Sequence, residues 1–172
     1  WTQNRYALFR RLWRALGIFN MNHEIYEKLN NRETMLDAEK ELIDLGASSI
    51  VYLESILSGK AKNRFGVPYN KLGLPVTCTL EIIARMGDTA KELENYVAKE
   101  ILDRDPSALR AISSFSSINE ESIASLASSL STESLFAHEA ALVLKKFGAL
   151  NHPMVLAIAA KSEYAQNVIN KV

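Results

Sequence analysis

The chain has 172 residues, 48% of them apolar and 23% charged, enough for one domain to bury a core. Its 20 basic and 20 acidic side chains cancel, so no overall field recruits nucleic acid or a membrane surface. A single cysteine, Cys78, excludes an internal disulfide and a four-cysteine zinc site, and no apolar run approaches the roughly 18 residues that span a bilayer. A lone thiol fits a reducing compartment, so the expected location is cytoplasmic. The chain starts at Trp1 rather than Met, which reads as a processed product or a piece of a longer chain.

Taken in chain order, apolar runs end five times in the same way. Trp13 and Leu16 precede Gly17, and Leu42 and Leu45 precede Gly46. Ile83 and Met86 precede Gly87, Phe115 and Ile118 precede Asn119, and Leu144 and Phe147 precede Gly148. Each stop has a large apolar residue one and four positions before it, and such residues share a helix face. Gly and Asn best tolerate the left-handed turn that ends a helix. The period-3.6 stripes predict first helices over 6–16, 34–45, 76–86, 106–118 and 135–147.

A second helical pattern follows each stop. Ser48 or Ser49 opens the one with Ile50, Leu53 and Leu57, and Asp88 caps the one with Leu93, Val97 and Ile101. Glu120 and Glu121 stand at the start of the helix with Ile123, Leu126 and Leu130. Asn151 and Pro153 open the last, with Leu156 and Ile158, and Asp105-Pro106 opens a first helix similarly. No segment alternates apolar and polar residues between hairpin turns, so no sheet is expected.

The stops lie 29, 41, 32 and 29 residues apart, and a helix pair with its turns needs roughly 30 to 45. Small residues recur eight positions before a stop, at Ala38, Thr79, Ala111 and Ala140, where they let neighbouring helices approach closely. With Asp44-Leu45-Gly46, Arg85-Met86-Gly87-Asp88 and Lys146-Phe147-Gly148 ending first helices, the pattern resembles the HEAT and armadillo-like repeat family. The resemblance implies an all-α solenoid, one unit over 1–172 of about four to five antiparallel helix pairs with the second helices on the concave side. An extended surface fixed by its scaffold suits an elongated partner, so the expected function is a protein-binding scaffold; the residue spacings lead to the expectation of no catalytic residue, metal or cofactor. Two features depart from the family: the serine-rich unit before Asn119, and an insert over 58–75.

That insert is the most distinctive stretch. It holds Lys60, Lys62, Arg64 and Lys71 without an acid, interleaved with Phe65 and Tyr69. Basic side chains among aromatics can bind phosphate, nucleic acid or an acidic partner, and long loops in compact domains are commonly functional. The alternative is that Phe65, Tyr69 and Leu72 anchor the loop under the helices. Helical phase adds Tyr52 and the row Lys91, Asn95 and Lys99 as partner-facing candidates.

Other classes are weaker. Some HEAT-like proteins are DNA glycosylases, which use a strongly basic concave face; zero net charge and acid-bearing second helices argue against nucleic acid here. Arg5, Arg10, Arg11 and Arg14 with Trp1 and Trp13 make a basic amphipathic opening, suited to a membrane surface or to a position beside a membrane-embedded segment. It equally suits a terminal capping helix. His23, His138 and His152 are dispersed and match no metal or nucleophile spacing, while Cys78 reads as a small buried apolar residue.

Overall fold

The computed structural model describes residues 18–172, with side chains from residue 23 onward. The predicted helix over 6–16, the stop at Gly17 and the arginine-rich opening lie outside the described residues. What is described is all-helical. Along the chain come α1 (Ile18–Leu29), α2 (Met35–Asp44), α3 (Ile50–Leu57), α4 (Gly73–Met86) and α5 (Glu94–Leu102). They are followed by α6 (Pro106–Ser113), α7 (Glu120–Ser129), α8 (Leu135–Lys146), α9 (Pro153–Ala159) and α10 (Glu163–Lys171). Short 3₁₀ turns cover Gly46–Ser49, Tyr69–Lys71 and Gly87–Leu93. Among the described residues the extended pairing is a single isolated bridge, Lys62 with Pro68.

Helices pack on alternate neighbours. In one row α2 lies against α4, α4 against α6, α6 against α8, and α8 against α10. In the other α5 lies against α7 and α7 against α9, while α5–α6 and α7–α8 join the rows. The small residues explain the close approach within the first row: Ala38, Thr79, Ala111 and Ala140 are each fully buried. Thr79 satisfies its hydroxyl within its own helix, donating to the Pro75 carbonyl at 2.8 Å.

The residues four before each stop, Leu42, Ile83, Phe115 and Leu144, are core. Those one before it are not: Leu45 is exposed, and Met86, Ile118 and Phe147 are half-buried. The chain is already leaving the helix there: Leu45 and Phe147 sit at the C-cap, Leu45 exposed and Phe147 packed only partly against the core. Gly46, Gly87 and Gly148 have φ of 55°, 55° and 67°, so all three stops use a positive φ that favours glycine; at Gly87 ψ is −134°, which departs from the left-handed turn expected there.

Asn119 does not, and the prediction of a helix over 106–118 ends too late. Helix α6 stops at Ser113, where serine hydroxyls compete for backbone groups; Ser114 donates to the Ala111 carbonyl at 2.7 Å. Asn119 instead has φ −91° and caps α7, its Oδ1 accepting from the Ser122 N–H at 2.9 Å. Asp88 is likewise no helix cap: its carboxylate accepts from Ser116 N–H at 2.8 Å, in the turn after α6. The cap of α9 is His152, not Asn151, and Asp105 caps α6 as expected. Helix α4 begins at Gly73, so the insert ends before Pro75. Helix α10, opened by Ser162 accepting from Ala165 N–H at 3.2 Å, was not anticipated.

Candidate functional site

The insert is a small hairpin rather than a free loop. Tyr69 N–H donates to Ala61 carbonyl at 3.0 Å, and Asn63 N–H to Val67 carbonyl at 2.9 Å. At the tip one side chain organises the backbone. Asn63 Oδ1 accepts from the N–H of Phe65 and of Val67, each at 3.0 Å, and its carbonyl accepts from Gly66 N–H at 2.9 Å. Gly66, at φ 78°, supplies the left-handed corner. The base is anchored by Tyr69, fully buried, with its ring 5.6 Å from that of Tyr26. Burial pushes the Tyr69 phenol well above its usual range, with Glu27 adding to the shift.

Tyr69 is therefore an anchor and not a contact residue, which corrects the expectation that it faces a partner. Phe65 is the reverse: at 75% exposure it does not anchor the loop. The Arg64 guanidinium lies over its ring at 4.8 Å. Lys60 bonds Glu54 at 2.8 Å, lowering that carboxyl's pKa, and is spoken for. Lys62, Arg64 and Lys71 are exposed and make no ion pair among the described residues.

If Asn63 holds the tip, Asn63→Ala removes its two side-chain hydrogen bonds, to the N–H groups of Phe65 and Val67, and loosens the tip. Trypsin cleavage after Arg64 is then expected to accelerate several-fold without a change in the thermal midpoint beyond the few degrees that about 1 kcal/mol produces. Peptide mapping of a limited digest checks it.

Of the row Lys91, Asn95 and Lys99, the first two bond the serine-rich segment before α7. Lys91 donates to the Ser117 carbonyl, pairs with Glu94 at 2.9 Å, and lies 4.9 Å from the Phe115 ring. Asn95 Oδ1 accepts from the Asn119 amide at 2.7 Å. Glu94, buried beside them, accepts from Asn119 N–H and from the Ser122 hydroxyl, both at 2.7 Å. Together with Asp88 these side chains clamp residues 116–122 onto α5. Lys91 and Asn95 thus bond the segment before α7, Lys91 half-buried and Asn95 still exposed. Lys99 stays exposed, 5.5 Å from the Tyr96 ring, and Tyr52 is half-buried against the core, 6.3 Å from Tyr26.

Cross-links of the same kind tie the first row. Arg85 reaches the buried Glu39 at 3.4 Å, and Arg110 bonds Glu81 while donating to Ser107 Oγ at 2.9 Å. His152 pairs with Glu120 at 3.2 Å across α9 and α7. The chemistry-bearing groups are thus used in structure. Cys78 is 2% exposed, near the Met35 sulfur at 3.9 Å, and burial, with Glu39 adding, pushes its thiol up to about 12. His138 lies instead against Tyr164, ring centroids 6.3 Å apart. The native thiol is expected to resist a thiol-exchange reagent at pH 8 and to react fully in denaturant; rapid native labelling would contradict its burial. Among the described residues no group of three or more His, Cys, Asp or Glu is arranged to hold a metal ion.

Leu36, Val51, Leu102, Leu135 and Leu142 are exposed large apolar side chains, and of these Leu135 and Leu142 share one helix. Leu135 and Leu142 on α8 are 75% and 53% exposed, seven positions apart and so on one face. The signal existed: both lie off the stripe Phe136, Ala140, Leu144 that faces the core. No described helix is long and apolar enough to cross a membrane. No protein-family model, curated protein or solved structure matches the chain.

Proposed function

We propose that the chain is a HEAT- or armadillo-like solenoid that binds a protein partner through outward-facing helical residues, acting as a scaffold and not as an enzyme. The alternate packing of helices, the positive-φ glycines at Gly46, Gly87 and Gly148, and the buried small residues of the first row support the architecture. Each pair buries its apolar side on the next, which leaves a long surface fixed by its neighbours. The observation that carries the binding role is the exposure of Leu135 and Leu142 on one face of α8. Large apolar side chains held two turns apart on a rigid helix suit a groove or an amphipathic helix of a partner.

The test is an affinity capture from the source lysate with the intact chain and with the double variant Leu135→Ser, Leu142→Ser. Both positions are exposed, so the fold should survive, and a matching thermal midpoint checks this. A protein retained by the intact chain and reduced at least tenfold by the variant supports the reading, since truncating interface anchors typically costs about 2 kcal/mol or more. Equal retention by both would sink it.

A further inference from the structure

We propose that the hairpin of the insert is a membrane-contact device, whose tip, Arg64 to Val67, enters the headgroup region of an anionic bilayer while Lys62 and Lys71 remain at its surface. The tip presents Phe65 at 75% and Val67 at 37% exposure. Three basic side chains without ion pairs among the described residues accompany them, and no acid lies between residues 60 and 75. Anionic headgroups attract such residues, and an aromatic ring settles at the interface.

The backbone is prepared for that environment. Entering a low-dielectric layer is costly for any N–H without a partner. Here Asn63 satisfies the N–H groups of Phe65, Gly66 and Val67 at 3.0, 2.9 and 3.0 Å, which leaves the Arg64 N–H to be met by headgroup or water at the level of its own charge. Arg64 lies along the Phe65 ring at 4.8 Å, an arrangement that lets its stem follow the ring while its charge reaches a phosphate. The base is fixed by buried Ala61 and Tyr69, so the tip is presented already ordered. An acidic protein is the poorer fit, because a four-residue protrusion falls far short of the ≈ 800 Å² each partner buries in a stable protein interface. This contact uses residues other than Leu135 and Leu142 and does not depend on the scaffold reading.

The test uses the full chain with Val67→Cys, which keeps Phe65, labelled by an environment-sensitive fluorophore; Cys78, 2% exposed, leaves a single reactive position. Vesicles of phosphatidylcholine with roughly 30% phosphatidylserine should shift the emission to the blue, pure phosphatidylcholine should not, and high salt should reverse the shift. In co-sedimentation, Phe65→Ser should weaken partition about tenfold, and Lys62→Gln, Arg64→Gln and Lys71→Gln roughly fivefold each. Sedimentation without an emission shift would overturn the proposal, because another part of the chain, such as the segment with Arg5, Arg10, Arg11 and Arg14, would then make the contact. A shift with soluble polyglutamate and none with vesicles would also overturn it, identifying an acidic polypeptide as the occupant.

Discussion

Glu94→Ala is expected to lower the unfolding free energy by about 3 kcal/mol, the larger of the two strongest single-site effects. The Glu94 carboxylate is buried and accepts from Asn119 N–H and Ser122 Oγ at 2.7 Å each, with Lys91 at 2.9 Å. Truncation leaves a backbone donor and a buried hydroxyl without partners at the start of α7, and hydrogen bonds to a charged acceptor are each worth about 1.5–3 kcal/mol. The loss is partly offset by water entering beside exposed Asn119. Glu94→Gln keeps an acceptor and loses the charge, so it should cost roughly half as much. Urea unfolding of the three proteins checks this. A loss for Glu94→Ala below about 0.5 kcal/mol, the usual surface range, would mean the clamp on residues 116–122 is not formed.

Gly87→Val is expected to cost a comparable amount, about 2–3 kcal/mol, for a different reason. Gly87 has φ 55° and ψ −134°, a conformation open to glycine and scarcely to any residue bearing a Cβ. An added Cβ would also meet the Ser114 carbonyl oxygen at 3.3 Å. Gly148 is the internal comparison: its φ is 67°, but nothing lies within 4 Å of the added Cβ. Gly148→Ala should therefore cost only the left-handed penalty of roughly 1 kcal/mol. In a domain of this size the valine variant should melt about 4–12 °C lower. Equal effects at the two glycines would show that the close approach of the 87 corner to the serine turn is not what fixes it.

Local rules carried the sequence reading where a helix end has one dominant chemistry. Leu144 ahead of Gly148 and Asp105 ahead of Pro106 needed only periodicity and capping. The reading failed where two local rules competed. Asn119 can end one helix or start the next, and the serines before it decided for the second by ending α6 at Ser113. Asp88 can cap its own helix, yet it bonds Ser116 instead, a partner 28 residues away that no local pattern reveals. The same holds for the candidate site. The basic aromatic insert was visible as composition, but which aromatic is buried depends on packing against Tyr26, and so Tyr69 and Phe65, alike in the sequence, take opposite roles. Helical phase places Lys91 and Asn95 outward, but their bonds to Ser117 and Asn119 join residues 26 and 24 positions apart, which no local pattern reveals. Asn63 was legible only in part, as an Asn three residues before a Gly.

The scaffold reading is tested most directly by site-specific photocrosslinking in the source lysate, with a benzophenone amino acid in place of Leu142 and, for comparison, in place of exposed Ser128 on α7. The account predicts one dominant protein adduct at position 142, competed away by excess unlabelled chain and lost when Leu135 is Ser. No adduct at 142, or the same adducts at both positions, would contradict it.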